Sequence, residues 1–505
     1  MNKYLLLLFC FLINDIIVAQ QVLSPCGTHQ GRSQWLKNYQ RNPESYPRSE
    51  ATLYVPLTLH IVGTDKGKGY ILGADLLGSL CTLNEDFSDA DIQFFIHDEL
   101  NFIDNSDYMF HQTILEGADM MFTNNIENTI NNYVVSQAAG NCGYNLPYAG
   151  VCLAINCTQP TDHTWAHEIG HNLSLPHPFL GWEGGVSHDG SVPHSFNNPA
   201  PERVTYDYTL FQDTLILDTV IIDTAWVEKV DGSNCTFAAD GFCDTKPDYI
   251  ASRWACDPNT GLSPNGMKDP DGVQFQSDAS LIMSYANDDC SYRFTEEQMG
   301  AMRANLMDEK PNLLFNQDEP ILIDNPDITV ISPLPGEVQP YDQILLEWEP
   351  VENATYYVVR ISTNEGLTTK LFDAIVNEPR AIGEIDKAFS DRDLYWSVIP
   401  FNSYDFCHTY STPQTFVASS VSNTANNELD KIEFYPSILN NESNTIYTKY
   451  DSNIDQVSLY NINGQKLFTS NEVNRSLTFD YLSSGLYILS VEHNGITQHQ
   501  KIIVQ

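Results

Sequence analysis

Positive charge is what this chain has least of: 25 lysines and arginines stand against 66 aspartates and glutamates, a formal net charge of -41 at pH 7. Such a field repels phosphates at long range, which excludes nucleic acids and anionic membranes as partners. Calcium and cationic peptides remain as complementary ones. An acidic low-complexity block is also missing. With 42% hydrophobic and 18% charged residues the charge belongs to the solvated surface of a globular protein. Beyond the N-terminus no apolar run is long enough to span a bilayer, so no transmembrane segment is expected. The first twenty residues carry Lys3, an apolar stretch from Leu5 to Ile13 broken by Asn14 and Asp15, and Ala19 before Gln20 and Gln21. That pattern reads as a signal peptide over residues 1–20, and the mature chain is expected outside the cytoplasm.

Cysteine is sparse. Of 11 in all, Cys10 leaves with the signal, and 11 - 1 = 10 is an even number that suits disulfides in an oxidising compartment. Cys235, Cys243, Cys256 and Cys290 cluster where bridges would pin irregular loops, and Cys407 is either free or paired.

A chain of 505 residues exceeds one hydrophobic core, so two to four domains are expected. Residues 21–50 read as a short, polar, irregular pro-segment. From 51 to 315 strand and helix patterns alternate in the α+β manner: YVPLTLHIV from Tyr54 is a buried strand, Ala74 to Phe87 has helical spacing, and DIQFFI from Asp91 is another strand. Residues 178–240, rich in Gly, Pro, Asn and Asp, read as a long insertion beside the cleft, with a hairpin near Thr214 to Ile222. A linker over 316–336 leads to a β-rich block, 337–418, where Trp348, Tyr357 and Trp396 on separate strands imply a sandwich core. Residues 430–505 form a second small all-β unit, with tight hairpin turns expected at Asn463-Gly464 and Asn494-Gly495.

The chemistry concentrates in His167-Glu168-Ile169-Gly170-His171. Two histidines four apart on a helix project from one face and can share one zinc ion, with Glu168 beside it. His177 lies ten residues after His167, about 15 Å along a continued helix, so the helix must end first. Pro176 and Pro178 forbid continuation and let an extended chain return the third imidazole to the metal. Three neutral imidazoles leave a fourth position for water, the pattern of a catalytic site. Glu168 is then the base that takes the water's proton. His163 reads as structural rather than as a ligand.

HEIGHNLSLPH resembles the metzincin zinc-binding motif, and Leu281-Ile282-Met283-Ser284-Tyr285 resembles the Met-turn beneath the metal, carried by Met283. Cys243-Asp244-Thr245, Met283 through Cys290, Phe294-Thr295 and Gln298 together resemble the pappalysin and cytophagalysin family over roughly 51–315. The resemblance implies a twisted sheet plus active-site helix, and a secreted zinc endopeptidase acting on proteins or peptides. It assigns Tyr285 to the oxyanion, and it gives Asp288 a role in selecting Arg or Lys after the cut bond. It also places calcium near Asp244 and Thr245. Cys26, in Ser24-Pro25-Cys26-Gly27-Thr28, resembles the thiolate that caps the zinc in latent members, or else is a disulfide partner. The motif departs from the family at Ser174, where glycine is usual and a left-handed residue is needed. The 337–418 block resembles a fibronectin type III module. The tail, with SSGLYIL and a terminal KIIV, resembles the C-terminal sorting domain of the Bacteroidetes type IX secretion system, which implies that machinery as a partner and a secreted or cell-surface location. The competing class is a secreted adhesion protein with a non-catalytic zinc site, but such a site has no need of Glu168.

Overall fold

The computed structural model describes residues 23–28, 31–183, 194–207, 222–317, 319–421 and, between 434 and 504, the strands of a C-terminal unit with the residues adjoining them. The signal peptide, both Asn-Gly turns and most of Thr214 to Ile222 lie outside the described residues.

A seven-stranded sheet is built from β1 (Ser24–Cys26), β2 (Leu53–Gly63), β3 (Ile92–Ile96), β4 (Asn101–Asp104), β5 (Ile130–Val135), β6 (Asn141–Leu146) and β7 (Gly150–Ala154). Its order is β1-β6-β7-β5-β2-β3, with β4 also on β2. The pairings β2-β3, β2-β4, β2-β5 and β5-β7 are parallel, whereas β6 runs antiparallel to β7 and β1 lies parallel on β6. Alternation sorts side chains to two faces. Leu57, Leu59, Ile130, Val134, Val151 and Leu153 enter one core, and Val62, Tyr133, Val135, Cys152 and Ala154 the other. Both faces are covered, as a largely parallel sheet requires. On the first face lie α2 (Gly73–Asp86), α5 (Thr164–Asn172) and α6 (Glu296–Asp308), through Leu76, Trp165, Ile169 and Met302 among others. On the second lie α3 (Ser106–Met109) and α4 (Ile114–Asn124), through Met109, Met120 and Met121.

The N-terminal segment corrects the reading of 21–50 as irregular. Helix α1 (Gln34–Arg41) forms there, capped by Ser33 Oγ accepting from Leu36 N at 3.0 Å, and Leu36 is fully buried in the main core. Eight residues with a single fully buried apolar side chain give too short a period to read from sequence. Within the insertion, β8 (Arg203–Asp207) and β9 (Ile222–Trp226) pair antiparallel. Loops beyond them hold Cys235–Cys243, Cys256–Cys290 and the short ladder β10 (Met267–Lys268) with β11 (Gln274–Phe275).

The β block is a sandwich. One sheet holds β12 (Val330–Ser332), β14 (Ile344–Trp348) and β17 (Arg380–Gly383); the other holds β13 (Val338–Pro340), β15 (Tyr356–Ser362), β16 (Phe372–Val376), β18 (Arg392–Phe401) and β19 (Gln414–Ser419). Trp348, Tyr357 and Trp396 are buried in it, with the two indole rings 6.2 Å apart. No boundary separates this sandwich from the first sheet. Val358, Ile399, Phe401 and Phe406 belong to the same core as α2 and α5, and the two regions form one compact unit. Cys81 of α2 is disulfide-bonded to Cys407. Gly73 allows the contact, since a Cβ there would stand 2.8 Å from both Val358 methyl groups.

The C-terminal unit is a separate body with its own core, in which Phe434, Ile446, Leu459, Leu489 and Ile502 are buried. Strands Phe434–Tyr435, Thr445–Thr448 and Ser476–Thr478 form one sheet; Ile438–Leu439, Ile496–Val504, Gly485–His493, Gln456–Asn461 and Lys466–Ser470 form the other.

Candidate metal centre and cleft

Helix α5 starts where Asp162 Oδ1 accepts the Thr164 amide at 2.8 Å, and it ends in a tight turn in which Leu175 N donates to Gly170 O at 2.9 Å. Ser174 takes φ +76° in that turn, the left-handed conformation that the motif demands. Its hydroxyl accepts from Asn305 Nδ2 of α6 at 3.1 Å, which holds the serine there without glycine. The chain then brings His177 back beneath α5.

The three Nε2 atoms of His167, His171 and His177 lie 3.0, 3.1 and 3.2 Å from one another. His167 Nδ1 is 2.8 Å from Ile282 O and His171 Nδ1 is 2.7 Å from Leu175 O. Those carbonyls require a proton on Nδ1, so the Nε2 lone pairs face one another. Converging lone pairs repel unless a cation sits among them, and a tetrahedral zinc with ~2.0–2.1 Å bonds spaces its nitrogens by about 3.3–3.4 Å. The donor set therefore fits zinc. His177 Nδ1 lies 3.5 Å from Glu183 Oε1, and Glu183 Oε2 accepts the Gly181 amide at 2.6 Å. This carboxylate stands beside the third imidazole, where an outer partner commonly sits. Glu183 was not singled out in the sequence, which gives no period for a residue on a loop.

Glu168 is fully buried beside these rings; one carboxylate oxygen accepts from Thr28 Oγ1 at 2.9 Å, and Oε1 has no hydrogen-bond partner. Burial pushes its carboxyl up to about 8 and holds His167 down to about 4. Met283 underlies the helix, and Gly170 makes room for it: a Cβ there would be 2.5 Å from the sulfur. Ser284 of the same turn donates to Asp248 Oδ2 at 2.7 Å, and Ser277 donates to Oδ1 at 2.7 Å. Tyr285 packs edge-on against His177, ring centroids 4.9 Å apart, and its hydroxyl reaches Cys26 O at 3.5 Å.

Cys26 is a free, buried thiol, which settles the disulfide alternative: the described bridges are Cys81–Cys407, Cys142–Cys157, Cys235–Cys243 and Cys256–Cys290. Its sulfur is 3.6 Å from His171 Nε2, and the ligand atoms of Cys26 and the three histidines all lie within 4.8 Å of one another. Burial, then the Glu168 charge, push this thiol up. β1 carries it, with Gly27 N donating to Gly143 O at 2.8 Å. Asp288 sits at the cleft rim, ion-paired with Arg253. His163 is 2.8 Å from Asp86 and lies outside the group of Cys26 and the three histidines.

The segment that the resemblance ties to calcium divides. Asp244 turns to the start of α6, accepting Glu297 N at 2.8 Å, while Thr245 donates to Asp240 Oδ1 at 3.1 Å. Asp240 Oδ2 and Glu228 Oε2 are buried and without partners, and burial followed by the Asp240 charge pushes Glu228 up to about 9. Two interacting buried carboxylates with spare oxygens suit a hard cation. Neither residue was singled out in the sequence.

Residues 434–505 match the family model described as a secretion system C-terminal sorting domain. The chain is thus a Bacteroidetes type IX secreted protein, released from the cell or attached to its surface. Among the described residues no helix is long and apolar enough to cross a membrane. No curated protein matches the sequence. A solved structure of chicken CNTN1 FN1-FN3 domains is similar at 13% identity and TM-score 0.16, covering 36% of this chain; the chain spans 65% of that structure's length.

Proposed function

We propose that the chain is a secreted zinc endopeptidase of metzincin type, of the pappalysin kind, made as a latent precursor. One observation carries the reading: three Nε2 atoms within 3.2 Å of one another, with the Nδ1 protons of His167 and His171 committed to carbonyls, beside a buried carboxylate that has a spare oxygen. Zinc held by His167, His171 and His177 would supply Lewis acidity, lowering the pKa of a bound water and polarising the scissile carbonyl. Glu168 takes the proton of the attacking water and passes it to the leaving amine. Tyr285, once the Cys26 carbonyl is gone, turns its hydroxyl to the oxygen that gains charge. The edge of β6, where Gly143 O now accepts from Gly27 N, offers its backbone to an extended peptide.

Latency follows from the same contacts. Cys26 would offer its soft sulfur to the metal alongside the three histidines, Thr28 engages Glu168, and β1 covers the edge strand. Calcium bound at Asp240 and Glu228 would brace the loop that carries Cys243.

Casein hydrolysis tests both parts. The processed protein is expected to contain one zinc per chain and to cleave casein, and Glu168→Ala to keep the zinc and lose at least about a thousandfold in rate. Full-length Cys26→Ala is expected to cleave casein where the unprocessed parent does not. Equal rates for the Glu168 variant and its parent would sink the mechanism.

A further inference from the structure

Arg253 and Asp288 meet at the rim of the metal site as an ion pair, and Asp288 Oδ1 also accepts the His163 amide at 3.2 Å. Their backbones are fixed to each other. Trp254 N donates to Tyr285 O at 3.2 Å, Asn287 N donates to Trp254 O at 2.9 Å, and the Cys256–Cys290 bridge closes the same loop. With His163, His167 and Tyr285 the pair lines a cavity of only about 10 Å³, which Pro25, the residue before Cys26, also borders. That volume holds roughly one water molecule. The neighbouring acids are committed elsewhere, Asp86 to His163 Nδ1 at 2.8 Å and Asp162 to the Thr164 amide at 2.8 Å.

Because this cavity shares His167 and Tyr285 with the metal centre, a side chain next to the cut bond enters it. A lysine or arginine there would have to break an ion pair whose cation belongs to the same chain. Resting on the peptidase reading above, we propose that Arg253 sets the substrate class of the site, restricting it to peptides with an uncharged residue beside the cut bond. Asp288, which the resemblance ties to Arg and Lys, is neutralised by its own chain.

The test is a peptide-library digest by the processed, zinc-loaded protein, with cut sites read by mass spectrometry. The parent is expected to favour uncharged residues at one of the two positions flanking the cut and to avoid Lys and Arg there. Arg253→Ala is expected to raise Lys and Arg at that position by about tenfold. Arg253→Gln gives the same shift with less change in packing, should the alanine protein not fold. Asp288→Asn added to either variant is expected to remove the gain. Cleavage by the parent before or after basic residues, or an unchanged profile in both Arg253 variants, overturns the proposal and leaves the peptidase reading standing. No cleavage of any peptide by zinc-loaded parent overturns that reading and the proposal with it.

Discussion

Ser174 takes a conformation that costs a residue with a Cβ about 1–2 kcal/mol, yet it anchors the turn through Asn305. Replacing it with glycine removes the strain and also removes a buried hydrogen bond worth about 1 kcal/mol. Ser174→Gly is therefore expected to change unfolding stability by less than about 1 kcal/mol in urea titration and to leave zinc content unchanged. Loss of zinc would show that the serine hydroxyl, rather than the turn, places His177. The histidine spacing was legible because a helix fixes His167 and His171 by period, and two prolines fix where the helix stops. Glu183, Asp248 and Arg253 reach the site from loops, where no period relates sequence distance to direction in space, and they were not singled out.

The element with the least sequence signal is β1, whose three residues pair parallel on β6. β6 itself, NCGYNL, is buried while half polar, so neither strand announces its partner. By contrast β2, α2 and β3 fall within a residue or so of where alternation and helical spacing put them. The loop carrying Asp240 and Glu228 belongs to the illegible class, and it supplies a second prediction. Calcium at ten to a hundred times its dissociation constant stabilises by about 1.4–2.7 kcal/mol. Added calcium is expected to raise the unfolding midpoint of the zinc-loaded protein, and Glu228→Gln with Asp240→Asn to abolish that rise. An equal rise in the double variant would place any calcium elsewhere.

Across the whole chain, boundaries at 315 and 337 were drawn where composition changes, but packing ignores them: α2 and the sandwich share one core. Composition reports solvent exposure along the chain; it does not report which buried face meets which. A protein ending at residue 421 is accordingly expected to unfold in one calorimetric transition spanning the seven-stranded sheet and the sandwich, and one ending at residue 317 to be insoluble or unfolded. Two separate transitions would show independent domains. The tail was legible as a unit and by resemblance, with its two turns lying outside the described residues.

The bridge from Cys81 to Cys407 joins residues 326 apart. Vectorial completion is thereby ruled out for this chain: the N-terminal half cannot finish its covalent structure until about four-fifths of the polypeptide has arrived in an oxidising space. The address for export follows that second cysteine in the sequence, so a molecule presented for passage has the means to have closed its largest ring first.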